Sequence, residues 1–171
     1  MGEFTLPQNV KIVNGFTALG IGTAGAVYGA YVSLKLAEMA WVVINYRQGD
    51  ATTVVWGISK ATAIAGTNNL ACTTLFPIWS NLACATNDRL VARTRAATYT
   101  LDAVQNTKVI IFQVDPAELG VLAADGVTPF TCVRVYPVSA DIPATSAWAC
   151  TWFLQSKYPS AAVSMPSSVI D

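Results

Sequence analysis

Histidine is absent from all 171 residues. That removes Ser-His-Asp and Cys-His nucleophilic catalysis, and with them the commonest transition-metal ligand. Charge is scarce as well. Asp, Glu, Lys and Arg make up 12% of the chain and balance to a formal net charge of zero, where roughly 25% charged residues is usual. No Lys/Arg run exists. The densest basic cluster is Arg89, Arg93 and Arg95, too thin a stripe to track a phosphate backbone, so no nucleic-acid partner is expected. The four cysteines, Cys72, Cys84, Cys132 and Cys150, form no C-x-x-C pair, which argues against a zinc or redox motif. The Met1 end shows no basic segment followed by an apolar run, so no secretory leader is expected. The cysteines then read as small buried hydrophobes in a reducing compartment rather than a disulfide framework.

Hydrophobic residues are abundant, at 53%, a composition that favours a folded core over disorder. The length fits one domain, which can fold without staples. An apolar chain of this size must hide more surface than one globule easily can, and burial against neighbouring subunits is one solution. One uncharged stretch, residues 14–34, is long enough to test as a membrane span and contains Gly25-x-x-x-Gly29. Five glycines and interrupting Asn, Thr and Ser residues argue against it, and no membrane partner is expected.

No long amphipathic helix pattern occurs. Short runs of β-branched and aromatic residues recur instead, bounded by Gly, Asn, Asp or Pro. They predict strands over residues 10–13, 28–36, 40–47, 52–59, 97–101, 108–114, 130–137 and 147–155. Eight short strands with turns between them imply an all-β fold: a single-domain antiparallel β-sandwich, jelly-roll-like. In residues 28–36, Tyr28, Ala30, Val32, Leu34 and Leu36 are expected on one face; near the end, Trp148, Cys150, Trp152 and Leu154 share another. The runs Trp41-Val-Val-Ile44 and Val109-Ile-Ile-Phe112 are apolar on both faces, as in central strands covered by a sheet on one side and a partner on the other. Residues 66–87 have poor periodicity and read as a long irregular segment, a common place for function. The division expected is an N-terminal arm and Gly-rich loop over 1–27, the sandwich over 28–158, and a Ser/Pro/Ala-rich extended arm over 159–171.

Motifs that could carry chemistry each have a plainer reading. Gly20-Ile-Gly22-Thr-Ala-Gly25 matches the dinucleotide fingerprint letter for letter. The fingerprint should follow its strand at once, yet Asn14-Gly-Phe-Thr-Ala-Leu19 intervenes, and the helix required over 26–40 is rich in Val, Tyr and Gly. A flexible Gly-rich loop is the better reading. Ser33 with Lys35, or Ser59 with Lys60, could make a Ser-Lys dyad only by chance geometry. The acids Asp50, Asp88, Asp102, Asp115, Glu118, Asp125 and Asp141 nearly all sit beside turn residues, where turn chemistry explains them better than a glycosidase pair or a calcium loop. Trp79 is the best candidate for an exposed ring that could stack on a sugar. No catalytic residue, cofactor or metal is assigned.

Tyr31-Val-Ser-Leu-Lys35 followed by Trp41-Val-Val-Ile-Asn-Tyr-Arg-Gln-Gly49, then Val109-Ile-Ile-Phe-Gln-Val-Asp-Pro116, and the ending from Ser146-Ala-Trp148 through Tyr158-Pro159 resemble small head-associated structural proteins of tailed bacteriophages. The resemblance spans residues 31–159. It implies a capsid decoration, or cement, protein: a compact β fold on the outer capsid surface, often a homotrimer at three-fold positions, clamping the major capsid protein. It brings no catalytic residues. The interface residues expected are Phe4, Leu6 and Val10 near the start, Phe76 and Trp79 in the middle, and Val163, Met165, Val169 and Ile170 in the tail. Competing readings are a receptor- or carbohydrate-binding β module of a head fibre or spike, and a tail-tube subunit.

Overall fold

Residues 37–47 show how the sequence selects its structure. Ala40, Val42, Ile44 and Tyr46 are fully buried, Met39, Trp41 and Val43 between them are partly exposed, and Asn45 and Arg47 face solvent. Burial with period two is what a pleated strand imposes. The β-branched and aromatic side chains at these positions fit its crowded surface.

The computed structural model describes residues 9–16, 28–120, 126–138 and 142–157. They form strands β1 (Val10–Phe16), β2 (Val32–Ser33), β3 (Ala37–Arg47), β4 (Val55–Ala61), β5 (Leu70–Ala71), β6 (Phe76–Asn81), β7 (Val91–Ala96), β8 (Thr98–Thr100), β9 (Thr107–Val114), β10 (Cys132–Pro137) and β11 (Ala147–Ser156). A single 3-10 turn, Pro116–Leu119, follows β9. Asp115 caps it by accepting from the Ala117 amide, and Pro116 occupies the first turn, where no donor is needed.

All strand pairs are antiparallel and form two sheets. The first has the order β1-β11-β3-β9-β6-β7; the second runs β2-β10-β4-β5, with β8 also on β4. β5 and β8 divide one edge of β4, pairing with Ser59–Lys60 and with Val55–Gly57. Counted as one interrupted strand, and with the β6–β7 hairpin set aside, they leave eight strands. In chain order one sheet is then first-eighth-third-sixth and the other second-seventh-fourth-fifth. That is the jelly-roll topology, two Greek keys wrapped into a sandwich. The β6–β7 hairpin widens the first sheet beyond its β9 edge.

The core lies between the sheets. The first sheet contributes Val42, Ile44, Ile110, Phe112, Cys150 and Trp152; the second contributes Trp56, Ile58, Val133 and Val135. Aromatic rings join the layers: Trp56 of the second sheet lies 4.8 Å from Trp148 and 5.7 Å from Tyr46 of the first, centroid to centroid. Within the first sheet, Phe76 stands edge-on to Phe112 at 6.4 Å. Each such side chain contributes roughly 1.5–3 kcal/mol by leaving water. The shared inward face of Trp148, Cys150, Trp152 and Leu154 is present as expected. Burial pushes the Cys150 thiol up to about 12 and, acting against the nearby Lys60 charge, the Cys72 thiol up to about 11. Both thiols are inert in this setting.

Two expectations fail, each for a visible reason. Residues 28–36 are not one alternating strand. Only Val32–Ser33 pairs as a strand, and Tyr31, Val32, Ser33 and Leu34 are buried in succession while Tyr28 and Leu36 are exposed. This segment passes between the layers: the Gly29 amide bonds Val135 in the second sheet and the Ala30 amide bonds Gly15 in the first. Residues 66–87 are not irregular throughout, because β5 and β6 lie within them. β6 does alternate, with Phe76, Ile78 and Ser80 inward, but Pro77 obscures the pattern. It sits at a register shift against β7, where a missing donor costs no ladder bond. The strand expected at residues 10–13 is present and runs on to Phe16, paired along β11. The helix that the Gly-rich motif would need is absent over 28–40, which holds β2 and the start of β3; Gly20, Gly22 and Gly25 lie outside the described residues.

One close approach fixes the turn after β3. A Cβ on Gly49 would sit 2.0 Å from the Thr145 carbonyl oxygen, and the Gly49 amide donates to Ser146 Oγ at 3.0 Å. Gly49→Ala is expected to cost at least about 1–3 kcal/mol, because backbone rather than a flexible side chain must move. Thermal unfolding of the variant checks this; an unchanged midpoint would show that the two loops separate freely.

Candidate functional site

The outward face of the six-stranded sheet is built from the residues that alternate with the core. Register places them in rows across the strands. One row is Ile12, Phe153, Trp41 and Gln113. The next is Asn14, Thr151, Val43, Ile111, Trp79 and Ala92. The third is Ala149, Asn45, Val109 and Asn81. No residue in the three rows carries a charge. Ile12 is 54% exposed, and Trp41, Val43, Trp79, Ile111 and Phe153 are all partly exposed. Adjacent rows of large apolar side chains on the open side of a sheet form a contiguous patch, and such patches mark sites of contact with another molecule. Arg47 sits at one end of this face, beyond the third row.

The expected interface residues divide. Trp79 lies in the middle row of this face, and Val10 stands at its β1 edge, opposite Gln155. Phe76 does not reach any surface: it is fully buried against Phe112, because it shares the inward face of β6 with Ile78 and Ser80. Phe4, Leu6, Val163, Met165, Val169 and Ile170 lie outside the described residues. Ile12 and Phe153 belong to the face but were not singled out from sequence. The signal was the run Trp152-Phe-Leu154, apolar at successive positions, like the two runs read as two-sided strands.

The candidate dyads do not assemble. Ser33 is buried while Lys35 is exposed. The Ser59 hydroxyl is shared between Tyr31 at 3.0 Å and the Leu70 carbonyl at 3.1 Å. Lys60 Nζ donates to the Leu119 carbonyl at 2.5 Å and stands 4.4 Å from the centre of the Phe130 ring. Among the described residues no group of three or more His, Cys, Asp or Glu side chains could hold a metal ion, and no helix is long and apolar enough to cross a membrane. The arginines are tied locally. Arg93 Nε donates to Ser80 Oγ at 2.8 Å, and Arg95 bridges the Leu75 carbonyl and Glu118. Arg89 and Arg93 border a cleft of about 320 Å³ with Asn81, Leu82 and Asn87.

The most heavily engaged polar group is Lys108. Its side chain is fully buried, and Nζ donates to Gln48 Oε1 at 2.5 Å, Asp102 Oδ1 at 2.5 Å and the Asp102 carbonyl at 2.9 Å. Partial burial acts to raise the Asp102 carboxyl. The bond from Lys108, the Val104 amide and the neighbouring positive charges outweigh it and hold the carboxyl below its ordinary value of 3.8. A carboxyl depressed by folding adds stability above its unfolded value, and that stability drains away as pH falls through the folded one. Acid unfolding below about pH 4 is therefore expected to be shallower in Asp102→Asn than in the native chain. The Asp102 side chain is 45% exposed, so water screens the effect and it stays modest. Unfolding midpoints between pH 2 and pH 6 measure it; identical pH slopes would rule out the linkage.

No protein-family profile matches the sequence, and no curated protein matches it. Among solved structures, the chain is similar to the SPBc2 prophage-derived protein YomS, with a TM-score of 0.45 and 12% identity over 91% of this chain and 100% of that one. It is similar to the Tobacco streak virus coat protein at a TM-score of 0.32 and 10% identity, covering 95% and 94% of the two chains. For infectious bursal disease virus, Gt strain, the score is 0.21 at 10% identity, and the chain spans 41% of that protein. Scores below 0.5 decide neither fold nor function; the topology and the sheet face stand on this chain's own strands.

Proposed function

We propose that this chain is a structural protein of a tailed-phage virion, one that decorates the outer head surface and cements neighbouring capsomers. One observation carries the reading: the sheet face through Trp41, Val43, Ile111 and Phe153 is apolar, uncharged and, among the described residues, partly exposed with no layer packed on it. A face of this kind is costly to leave in water, and permanent assembly covers it. The jelly roll is a common architecture of viral capsid proteins, a likeness at the level of fold alone. The resemblance of residues 31–159 to phage head proteins points the same way. The partners would be the major capsid protein and further copies of this chain, and the role would be structural rather than enzymatic.

The physical task suits the surface. Packaged DNA strains the joints of a shell, and a clamp resists by adding buried area across them. Apolar burial supplies about 25 cal/mol per Å² before association costs are subtracted. Repeated around a shell, small gains per site accumulate.

Electron cryomicroscopy of purified virions, with head symmetry applied, tests the proposal. Density for many copies on the outer head surface, bridging capsomers, is the expected result. Copies confined to the tail, or none in the particle, would refute it.

A further inference from the structure

Resting on the reading that this chain works by assembly, we propose that the outer face of the six-stranded sheet is where two copies of the chain join, face to face, about a two-fold axis.

Size is the first consideration. The three rows hold 14 residues, each occupying about 4.8 Å by about 6.8 Å, a flat footprint on the order of 450 Å² before side-chain relief is added. A stable association buries about 800 Å² per partner. With the relief of Trp41, Trp79, Ile12 and Phe153 added, the face supplies the greater part of such an interface.

Charge is the second. The three rows carry no formal charge. A partner face must be uncharged too, since a charge placed there would be buried without a counter-ion. The same face on a second copy meets that requirement.

Shape is the third, and it favours a copy over any other uncharged surface. Over β11, β3 and β9 the face tapers: Phe153 and Trp41 form its bulky row, Thr151, Val43 and Ile111 the middle, and Ala149, Asn45 and Val109 the shallow one, while Trp79 on β6 adds bulk toward the far end of the middle row. A two-fold axis laid along the middle row sets the bulky row of each copy over the shallow row of the other. Phe153 then covers Ala149, and Trp41 covers Asn45, whose side-chain carbonyl can accept the indole N–H. Each contact occurs twice, as an isologous interface requires. Two sheets packed this way lie about 10 Å apart, the spacing inside an ordinary sandwich. The arrangement predicted is a dimer, in place of the three-fold set that the phage resemblance implies.

Sedimentation equilibrium of the full chain tests this. The expected mass is twice the protomer's 18.1 kDa. Val43→Arg, which puts two like charges on the axis, is expected to leave a monomer even at about 100 µM with unchanged far-UV circular dichroism. A native chain that is monomeric or trimeric, or a folded Val43→Arg dimer, overturns the proposal. If Val43→Arg fails to fold, Thr151→Cys in a Cys84→Ser background replaces it: a short bismaleimide should link two copies through the axis, and failure to link them overturns the proposal. Binding to heads stripped of this chain separates the two readings. A monomer that binds heads sinks the pairing and leaves decoration standing; a dimer that does not bind sinks decoration and leaves the pairing.

Discussion

Trp56→Ala is expected to cost about 3–5 kcal/mol, a large part of the roughly 5–15 kcal/mol that holds a domain folded. Trp56 is fully buried near the start of β4, and its ring meets Trp148 and Tyr46 of the opposite sheet. Removing it opens a hole between the layers, where β4 already holds β10 and β8 on its two sides. The indole Nε1 makes no hydrogen bond within the described chain, so the loss is packing rather than a severed polar contact. Trp56→Phe should therefore cost much less, about 1–2 kcal/mol, because it keeps most of the ring contact. Urea unfolding followed by far-UV circular dichroism reads both. The midpoint should fall sharply for Ala and slightly for Phe, with little change in slope. Equal shifts would mean that the sheets close over the gap.

Lys108→Ala is expected to cost about 2–5 kcal/mol through the cavity left by its buried stem and the loss of its bonds. Its ammonium ties together two loops at one end of the sandwich: Gln48, which in turn donates to the Thr52 carbonyl at 2.9 Å, and Asp102. Lys108→Met keeps the stem and removes the charge. Because Asp102 is half exposed and can turn to water, Met should recover much of the loss; the amide of buried Gln48 is what remains short of a partner. Thermal unfolding of the pair separates stem from head group. If Met is as damaging as Ala, the bonds rather than the packing hold the loops.

The sandwich was legible because period-two burial survives in the long strands. β3, β9, β10 and β11 all fall within a few residues of their expected bounds, since each alternates large apolar side chains against a single core. Short or peripheral strands were harder. β7, Val91–Ala96, carries Arg93 and Arg95 at a sheet edge and reads as a loop. β2 is two residues long and owes its place to bonds with β10, made across about a hundred residues of sequence. The sheet face was half legible. Trp41 to Ile44 and Val109 to Phe112 announced strands with two apolar sides, but which of these side chains stand in one row depends on register, and register is settled by pairings no single segment encodes. Phe76 shows the same limit in reverse: an aromatic beside a proline looked exposed, and one position of register turned it into the core.

The first and last strands of the fold lie side by side. Val10 stands opposite Gln155, with β1 running against β11, so the chain enters and leaves the sandwich about 5 Å apart. A domain whose two ends nearly touch can be spliced into a surface loop of a host protein without prising that loop open. The same corner suits circular permutation: a short linker from residue 155 to residue 10 would close the chain, and new ends could be cut in the exposed loop at Asp88–Leu90. Cargo fused there hangs from one corner and stays clear of the broad face of the sheet.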